Sequence, residues 1–271
     1  MKLAASNIAW PEEADAAAFE FLAKNGVEGI EVAPTRIWPH WQGIDAAEVA
    51  EFRRRLNAAG LAVSSLQAIL FQKPELQLFG SGEVRQAMFE HLCLCADLAV
   101  GLGAQCLVFG GPKNRDRGAL SAEEAFGIAA EFFAKVSEYY AGMGVCLGFE
   151  ANPSEYGCNF ATESRTAARL VRAVGSPGFR LHLDTACLQL AGEPVVEAIA
   201  ENSDILRHFH ASEPFLGAFA DPKAEHTSAA RALREAHYEG WVALEMRSAE
   251  PPLPAVEEAA RYVRRIYGDG G

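Results

Sequence analysis

Four residues of the 271-residue chain have the types and spacing of a metal centre: Glu150, Asp184, His210 and Glu245. Each closes a short, mostly apolar run of strand-forming residues. The runs are Val145-Cys146-Leu147-Gly148-Phe149-Glu150, Phe179 to Asp184, Leu206-Arg207-His208-Phe209-His210 and Trp241-Val242-Ala243-Leu244-Glu245. A single acid at a strand end is commonly a solvated cap. Three carboxylates and an imidazole converging on one point repel each other unless a cation sits between them, and a hard O/N donor set suits Mn²⁺, Mg²⁺, Co²⁺ or Zn²⁺.

Such convergence requires strands that run side by side and end at the same face. The chain alternates strand runs with helical stripes. Strands are expected near 3–8, 27–32, 61–67, 105–110, 145–150, 179–184, 206–211 and 241–246. Between them, Val49, Phe52, Leu56 and Ala59 recur at steps of three and four, as do Val84, Met88, Leu92, Cys95, Ala99 and Leu102. Ala125, Ala129, Phe132, Val136, Tyr139 and Met143 form a third stripe, and Val256, Ala260, Val263 and Ile266 a last one. Gly26, Gly60, Gly103, Gly144 and Gly240 each follow a helical stretch and precede a strand, where a left-handed helix end favours glycine. Eight such units in this length predict an α/β fold, a single-domain (β/α)8 TIM barrel over residues 1–271, with its site at the C-terminal strand ends. The rival open sheet needs a Gly-rich turn after its first strand, whereas this chain reads Ser6-Asn7-Ile8-Ala9-Trp10-Pro11 there. The strand period of two then places His182 and His208 on the same inward faces as Asp184 and His210, one layer below the metal. There they would orient the carboxylates or be core histidines.

The bulk numbers bound the function. Half of the residues are hydrophobic and the formal net charge is −12. An acidic chain disfavours nucleic acid and anionic membranes as partners. The six cysteines form no CxxC pair, which fits reduced, packed thiols and a cytoplasmic setting. Met1 to Pro11 lacks the apolar core of a signal peptide, and Leu92 to Gly111 is too interrupted to read as a membrane span. The tail Gly268-Asp269-Gly270-Gly271 is expected to fray.

Further contact candidates cluster near strand ends. Lys113, Asn114 and Arg115 follow Gly110-Gly111 and could hold a phosphate or carboxylate, and Arg247 follows Glu245. Glu31 and Gln67 end strands two and three and could bind hydroxyls at the mouth or cap their strands. Trp38 and Trp41 could wall a sugar, meet another subunit or form a local core under their loop. His226 reads as a helix-start residue rather than a ligand.

With these residues in view, the sequence resembles the xylose-isomerase-like barrel superfamily, and especially its ketose 3-epimerase branch, such as tagatose epimerase. The resemblance spans essentially the whole chain. It is carried by Gly29-Ile30-Glu31-Val32, Phe149-Glu150 with Asn152-Pro153, Leu183-Asp184-Thr185, His208-Phe209-His210-Ala211 and Gly240 to Glu245. It implies one metal, Mn²⁺ first, held by Glu150, Asp184, His210 and Glu245, with Glu150 and Glu245 also moving the proton. The implied activity is isomerisation or epimerisation of a small sugar, sugar phosphate or polyol through a metal-stabilised enediolate. Asn152 would lie on the substrate side. So would Cys187, which stands where the epimerases carry a substrate-binding histidine. The loop after His210, Ser212 to Phe219, also lacks the family's arginine and Gly-rich turn, so the metal set is kept while the substrate side is altered. Alternatives on the same scaffold are an inosose- or dehydroshikimate-type dehydratase and a non-catalytic carbohydrate-binding barrel. A nuclease of the endonuclease-four type would need more histidines and a basic groove. Barrels of this kind often form dimers or tetramers.

Overall fold

A computed structural model describes residues 1–268; the end of the expected frayed tail, residues 269–271, lies outside them. Eight parallel strands close into a barrel in sequential order: β1 (Lys2–Ser6), β2 (Gly29–Val32), β3 (Ala62–Leu66), β4 (Cys106–Phe109), β5 (Cys146–Glu150), β6 (Phe179–Asp184), β7 (Leu206–Ser212) and β8 (Trp241–Glu245). The connecting helices include α1 (Asp15–Lys24), α2 (Ala46–Ala58), α3 (Gly82–Leu102), α4 (Ala122–Gly142) and α5 (Ser164–Val174). Two short helices, α6 (Thr185–Leu190) and α7 (Val195–Ala200), share the sixth unit, and α8 (His226–Glu235) and α9 (Pro252–Tyr267) complete the ring. All eight expected strands are present, and the four apolar stripes fall on α2, α3, α4 and α9.

Physical causes are visible at the element ends. Ser121 and Glu124 form a reciprocal capping box at the start of α4, and Ser81 Oγ accepts the Val84 N–H at the start of α3. Strand one stops earlier than expected, at Ser6, because Asn7–Ala9 coil into a 3-10 turn whose Asn7 Oδ1 accepts the Ala33 N–H, 2.8 Å away. Gly26, Gly60, Gly103 and Gly144 adopt left-handed φ as expected, but Gly240 does not. His237 takes that conformation instead (φ 51°), and Gly240 is needed because a Cβ there would overlap the Tyr238 ring.

The core lies between the outer strand faces and the helices. Phe133 of α4 stacks on Phe179 (4.6 Å) and meets Phe109 and Phe149 edge-on, joining three strands to one helix. Truncating one of these rings would cost about 3–5 kcal/mol. Trp38 and Trp41 belong to the same buried cluster: Trp38 packs on Phe52, and Trp41 on His91. They form a local core, not a sugar wall. His226 opens α8 and is buried between Glu213 (2.8 Å) and the Tyr267 hydroxyl (2.9 Å). The six cysteines are free, and all but Cys93 are buried. Among the described residues, no helix is long and apolar enough to cross a membrane.

Candidate metal centre

Glu150, Asp184 and Glu245 are the last residues of β5, β6 and β8, while β7 continues two residues past His210. Register pairs Asp184 with His210, and Glu245 with Ser212 rather than with His210. Strands of a closed barrel are tilted, so residues at one height are displaced in register, and the four side chains still meet. His210 Nδ1 lies 3.2 Å from Glu245 Oε2, 3.6 Å from Asp184 Oδ2 and 3.9 Å from Glu150 Oε1.

Each of these groups is held from behind. The His210 Nε2–H donates to Glu31 Oε2 (3.1 Å), which fixes the ring and turns Nδ1 toward the carboxylates. Glu31 also accepts from His208 Nε2 (2.8 Å) and Ser65 Oγ (2.7 Å). Asp184 Oδ1 accepts the Cys187 N–H (2.7 Å), and Oδ2 accepts the Ser212 hydroxyl (2.6 Å). Glu150 Oε2 accepts from Asn152 Nδ2 (2.9 Å). Gly110 is glycine by close approach: a Cβ there would overlap Glu150 Oε2. The fully buried Arg115 donates to the Glu150 carbonyl (2.6 Å) and lies over the Phe149 ring, so a cation stands behind the acidic cluster.

The electrostatics follow from burial and mutual charge. Burial, together with the neighbouring Asp184 charge, raises the Glu150 carboxyl to about 7. Burial raises Glu245 to about 7 as well, with the Asp184 and Glu150 charges adding to it and His210 opposing. Burial alone would disfavour charge on His210, Asp184 and Glu31, but their mutual attraction outweighs it. His210 is held well above the usual histidine range, and Asp184 and Glu31 are held below the carboxylate range. His182 is pushed well below its ordinary value by burial, with the His210 and His208 charges adding to it.

These groups fit a divalent cation. His210 Nδ1 is buried without a hydrogen-bond partner even though three carboxylate oxygens surround it, and one imidazole nitrogen with three carboxylates is a donor set such ions accept. His182 is a further candidate at the same point. Ligand atoms of Glu150, His182, Asp184 and His210 all lie within 4.8 Å of one another, and both His182 nitrogens are unpartnered. Of the two histidines expected beneath the metal, His182 stands 3.3 Å from Glu150 Oε1, whereas His208 donates to Glu31 (2.8 Å) and meets the His210 ring edge-on (5.3 Å).

Above the cluster opens a cavity of about 750 Å³. Gln67, Lys113, Asn114, Asn152, Cys187 and Arg247 reach its wall, as do Glu150, Asp184, His210 and Glu245. Glu31 and Arg115 do not: Glu31 is sealed under His210, and Arg115 turns inward against Phe149. The expected anion-binding pair at 113–115 is therefore not assembled. Asn114 spends its amide N–H groups on the Lys73 and Leu76 carbonyls, and Lys113 alone is exposed. Sequence reasoning missed Ser212 and Gly110. Ser212 lies two residues beyond His210 on the same strand face, a spacing that could have revealed it. Gly110 lies directly after β4, but nothing in the chain order announces its contact with Glu150.

The family model described as the xylose isomerase-like TIM barrel matches residues 19–266. A search of the curated proteins found no match. Among solved structures, D-psicose 3-epimerase from Clostridium cellulolyticum H10, determined with D-tagatose, superposes with a TM-score of 0.82 at 15% identity, covering 98% of this chain and 99% of that one. The 3-keto-D-glucoside 4-epimerase of E. coli gives 0.80 at 16%, covering 98% and 99%. A probable 3-DHS dehydratase from Bacillus anthracis gives 0.75 at 14%, covering 97% and 98%. At these identities the likeness is one of fold.

Proposed function

The chain belongs to the xylose isomerase-like TIM-barrel family, and on that footing we propose that it is a metal-dependent isomerase or epimerase of a small sugar, sugar phosphate or polyol derivative. One observation carries the reading. Two glutamates on different strands, Glu150 and Glu245, stand 3.9 and 3.2 Å from one imidazole nitrogen at the floor of a cavity, where they can face a substrate from two sides. A carboxylate placed within reach of the carbon beside a carbonyl can take its proton and return it.

Glu150, Asp184, His210 and Glu245 would hold the cation, with Mn²⁺ the first choice. When bound, it supplies Lewis-acid polarisation of a carbonyl and its adjacent hydroxyl. The chain's own residues do the rest. One of Glu150 and Glu245 removes the proton from the carbon beside the carbonyl, leaving an enediolate. The other glutamate delivers a proton to the opposite face, which inverts the centre; delivery to the neighbouring carbon would instead exchange aldose and ketose. Asn152 keeps the Glu150 carboxylate oriented for this transfer. Glu31 fixes the His210 tautomer. Gln67, Asn152 and Cys187 offer polar atoms to the substrate's hydroxyls.

Dehydration is the second reading: a probable dehydratase shares the fold, and the cavity wall carries Cys187 at the position where the resemblance to the epimerases implies a substrate-binding histidine. Loss of a hydroxyl from the same enediolate changes the product mass by one water, which epimerisation does not.

The test is calorimetric titration of metal-stripped protein with Mn²⁺, beside Glu150→Gln and His210→Ala, followed by deuterium uptake from heavy water across ketoses and cyclic polyols. Binding of about one ion per chain that both variants weaken, with solvent deuterium entering one substrate C–H, supports the reading. A folded wild type that binds no metal overturns it. Carbohydrate binding that survives Glu150→Gln with no exchange would instead identify a binding protein.

A further inference from the structure

The rim of the cavity contains an arrangement that proton transfer does not use. Phe71 and Phe215 are 56% and 51% exposed, and both line the cavity. Phe71 lies in the loop after β3 and Phe215 in the loop after β7. Strands three and seven are four apart in a closed eight-stranded barrel, so these loops stand on opposite sides of its mouth.

Both loops hold their aromatic ring outward through strained backbone. Ala68 and Gln72 flank Phe71 with φ of 53° and 61°, and Phe215 and Leu216 adopt 60° and 55°. Left-handed conformations of side-chain-bearing residues persist only where their surroundings impose them. Here the surroundings do so. The Phe215 N–H donates to the Tyr156 hydroxyl (2.9 Å), the Arg247 guanidinium donates to the Phe215 carbonyl, and the Arg247 N–H donates to the Leu216 carbonyl (3.1 Å). On the other side, the Trp41 indole N–H donates to the Phe71 carbonyl (3.4 Å). The main chain is anchored while about half of each phenylalanine stays exposed, with Phe215 meeting the Tyr156 ring edge-on (5.6 Å). Water-exposed phenyl rings in strained, anchored loops at a cavity mouth have the properties of a ligand contact.

Resting on the isomerase or epimerase reading, we infer that Phe71 and Phe215 clamp an apolar substituent, so that the substrate is a sugar or polyol derivative carrying an aryl or alkyl group, as a hydrophobic glycoside does, rather than a free sugar. The polar end of such a molecule reaches the carboxylates on the floor, and its apolar end lies between the two rings. The cavity, about 750 Å³, is within the roughly 300–1,000 Å³ range of clefts that enclose a drug-sized ligand, larger than a free monosaccharide needs.

The test uses unreactive probes: 4-nitrophenyl and methyl β-D-glucopyranoside, each titrated by calorimetry into the Mn²⁺-treated full chain. The aryl probe should bind at least about tenfold more tightly than the methyl probe, as expected from burying a phenyl ring. That ratio should fall about threefold or more in Phe71→Ala and in Phe215→Ala, and approach one in the double variant. Phe215→Leu, which keeps an apolar side chain, should retain an intermediate ratio, guarding against a folding defect at that strained position. A wild-type ratio near one, or a ratio that survives the double substitution, overturns the clamp. So does a double variant whose mass by light scattering shows that the rings had instead joined two copies of the chain. A protein that takes up Mn²⁺ without an aryl preference refutes the clamp alone. One that prefers the aryl probe but takes up no metal refutes the isomerase reading alone.

Discussion

Replacing Glu31 by Gln tests the support beneath the proposed metal centre without touching any of the four proposed ligands. The Glu31 carboxylate is fully buried and accepts from Ser65 Oγ at 2.7 Å, His208 Nε2 at 2.8 Å and His210 Nε2 at 3.1 Å. A carboxylate can only accept, so it requires the proton of His210 to sit on Nε2 and leaves the Nδ1 lone pair for the cation. A carboxamide presents an N–H₂ on one side and lacks the negative charge, so it permits the opposite tautomer. Loss of such an outer partner typically costs 10–100-fold in metal affinity, or about 1.4–2.7 kcal/mol. The metal-free protein suffers as well, because removing one member of a buried charged pair costs about 3–5 kcal/mol. Calorimetric titration of Glu31→Gln with Mn²⁺ should show the lower affinity, and its melting temperature should fall. Ser65→Ala removes only one donor to Glu31 and should give a smaller loss in the same direction. If Glu31→Gln binds Mn²⁺ as tightly as the wild type, Glu31 does not set the orientation of His210.

Two other perturbations probe the same cluster. In Gly110→Ala the new methyl overlaps the Glu150 carboxylate; overpacking of this kind costs about 1–3 kcal/mol, and Mn²⁺ affinity should drop while a Gly127→Ala control, with open space at its Cβ, should bind normally. The third is pH dependence. Glu150 and Glu245 are raised from 4.5 to about 7, so between those values these two groups hold more protons in the folded metal-free chain than in the unfolded one. Their contribution to stability is present below about 4.5 and is lost as pH rises through about 7, whereas the depressed Asp184 and Glu31 act below that window. Buried His182 and His208, both lowered from 6.5, oppose this below 6.5, and the raised His210 adds to it above, so the melting temperature of stripped protein should fall as pH rises from 6.5 through about 7. Mn²⁺ uptake should release protons and strengthen with rising pH, and uptake independent of pH from 5.5 to 8 would refute the assignment.

The sequence made the barrel legible through repetition. Eight apolar runs, four helical stripes and the recurring helix-end glycines all describe one unit, and parallel strands buried on both faces admit few other closures. The candidate ligands were legible for a related reason: a strand-end acid after an apolar run in consecutive units must reach the same face. His182 and His208 could be placed one layer down by the strand period, but their different contacts, one with Glu150 and the other with Glu31, could not.

What the chain order could not convey was contact across the barrel. Glu31 read as a mouth residue because it lies at a strand end, yet the barrel's tilt carries it beneath His210, 179 positions away. Arg115 read as an anion contact because it follows two glycines, yet its guanidinium turns under Glu150. Phe71 and Phe215, unremarkable in composition, become a pair only when closure sets the third and seventh loops face to face. By itself the sequence determined the unit, its repetition and the donor atoms at its ends, because these follow from local periodicity. Only the tertiary structure decided which of those atoms face the cavity and which support others from behind, because that depends on strand tilt and closure, which join residues far apart in the chain.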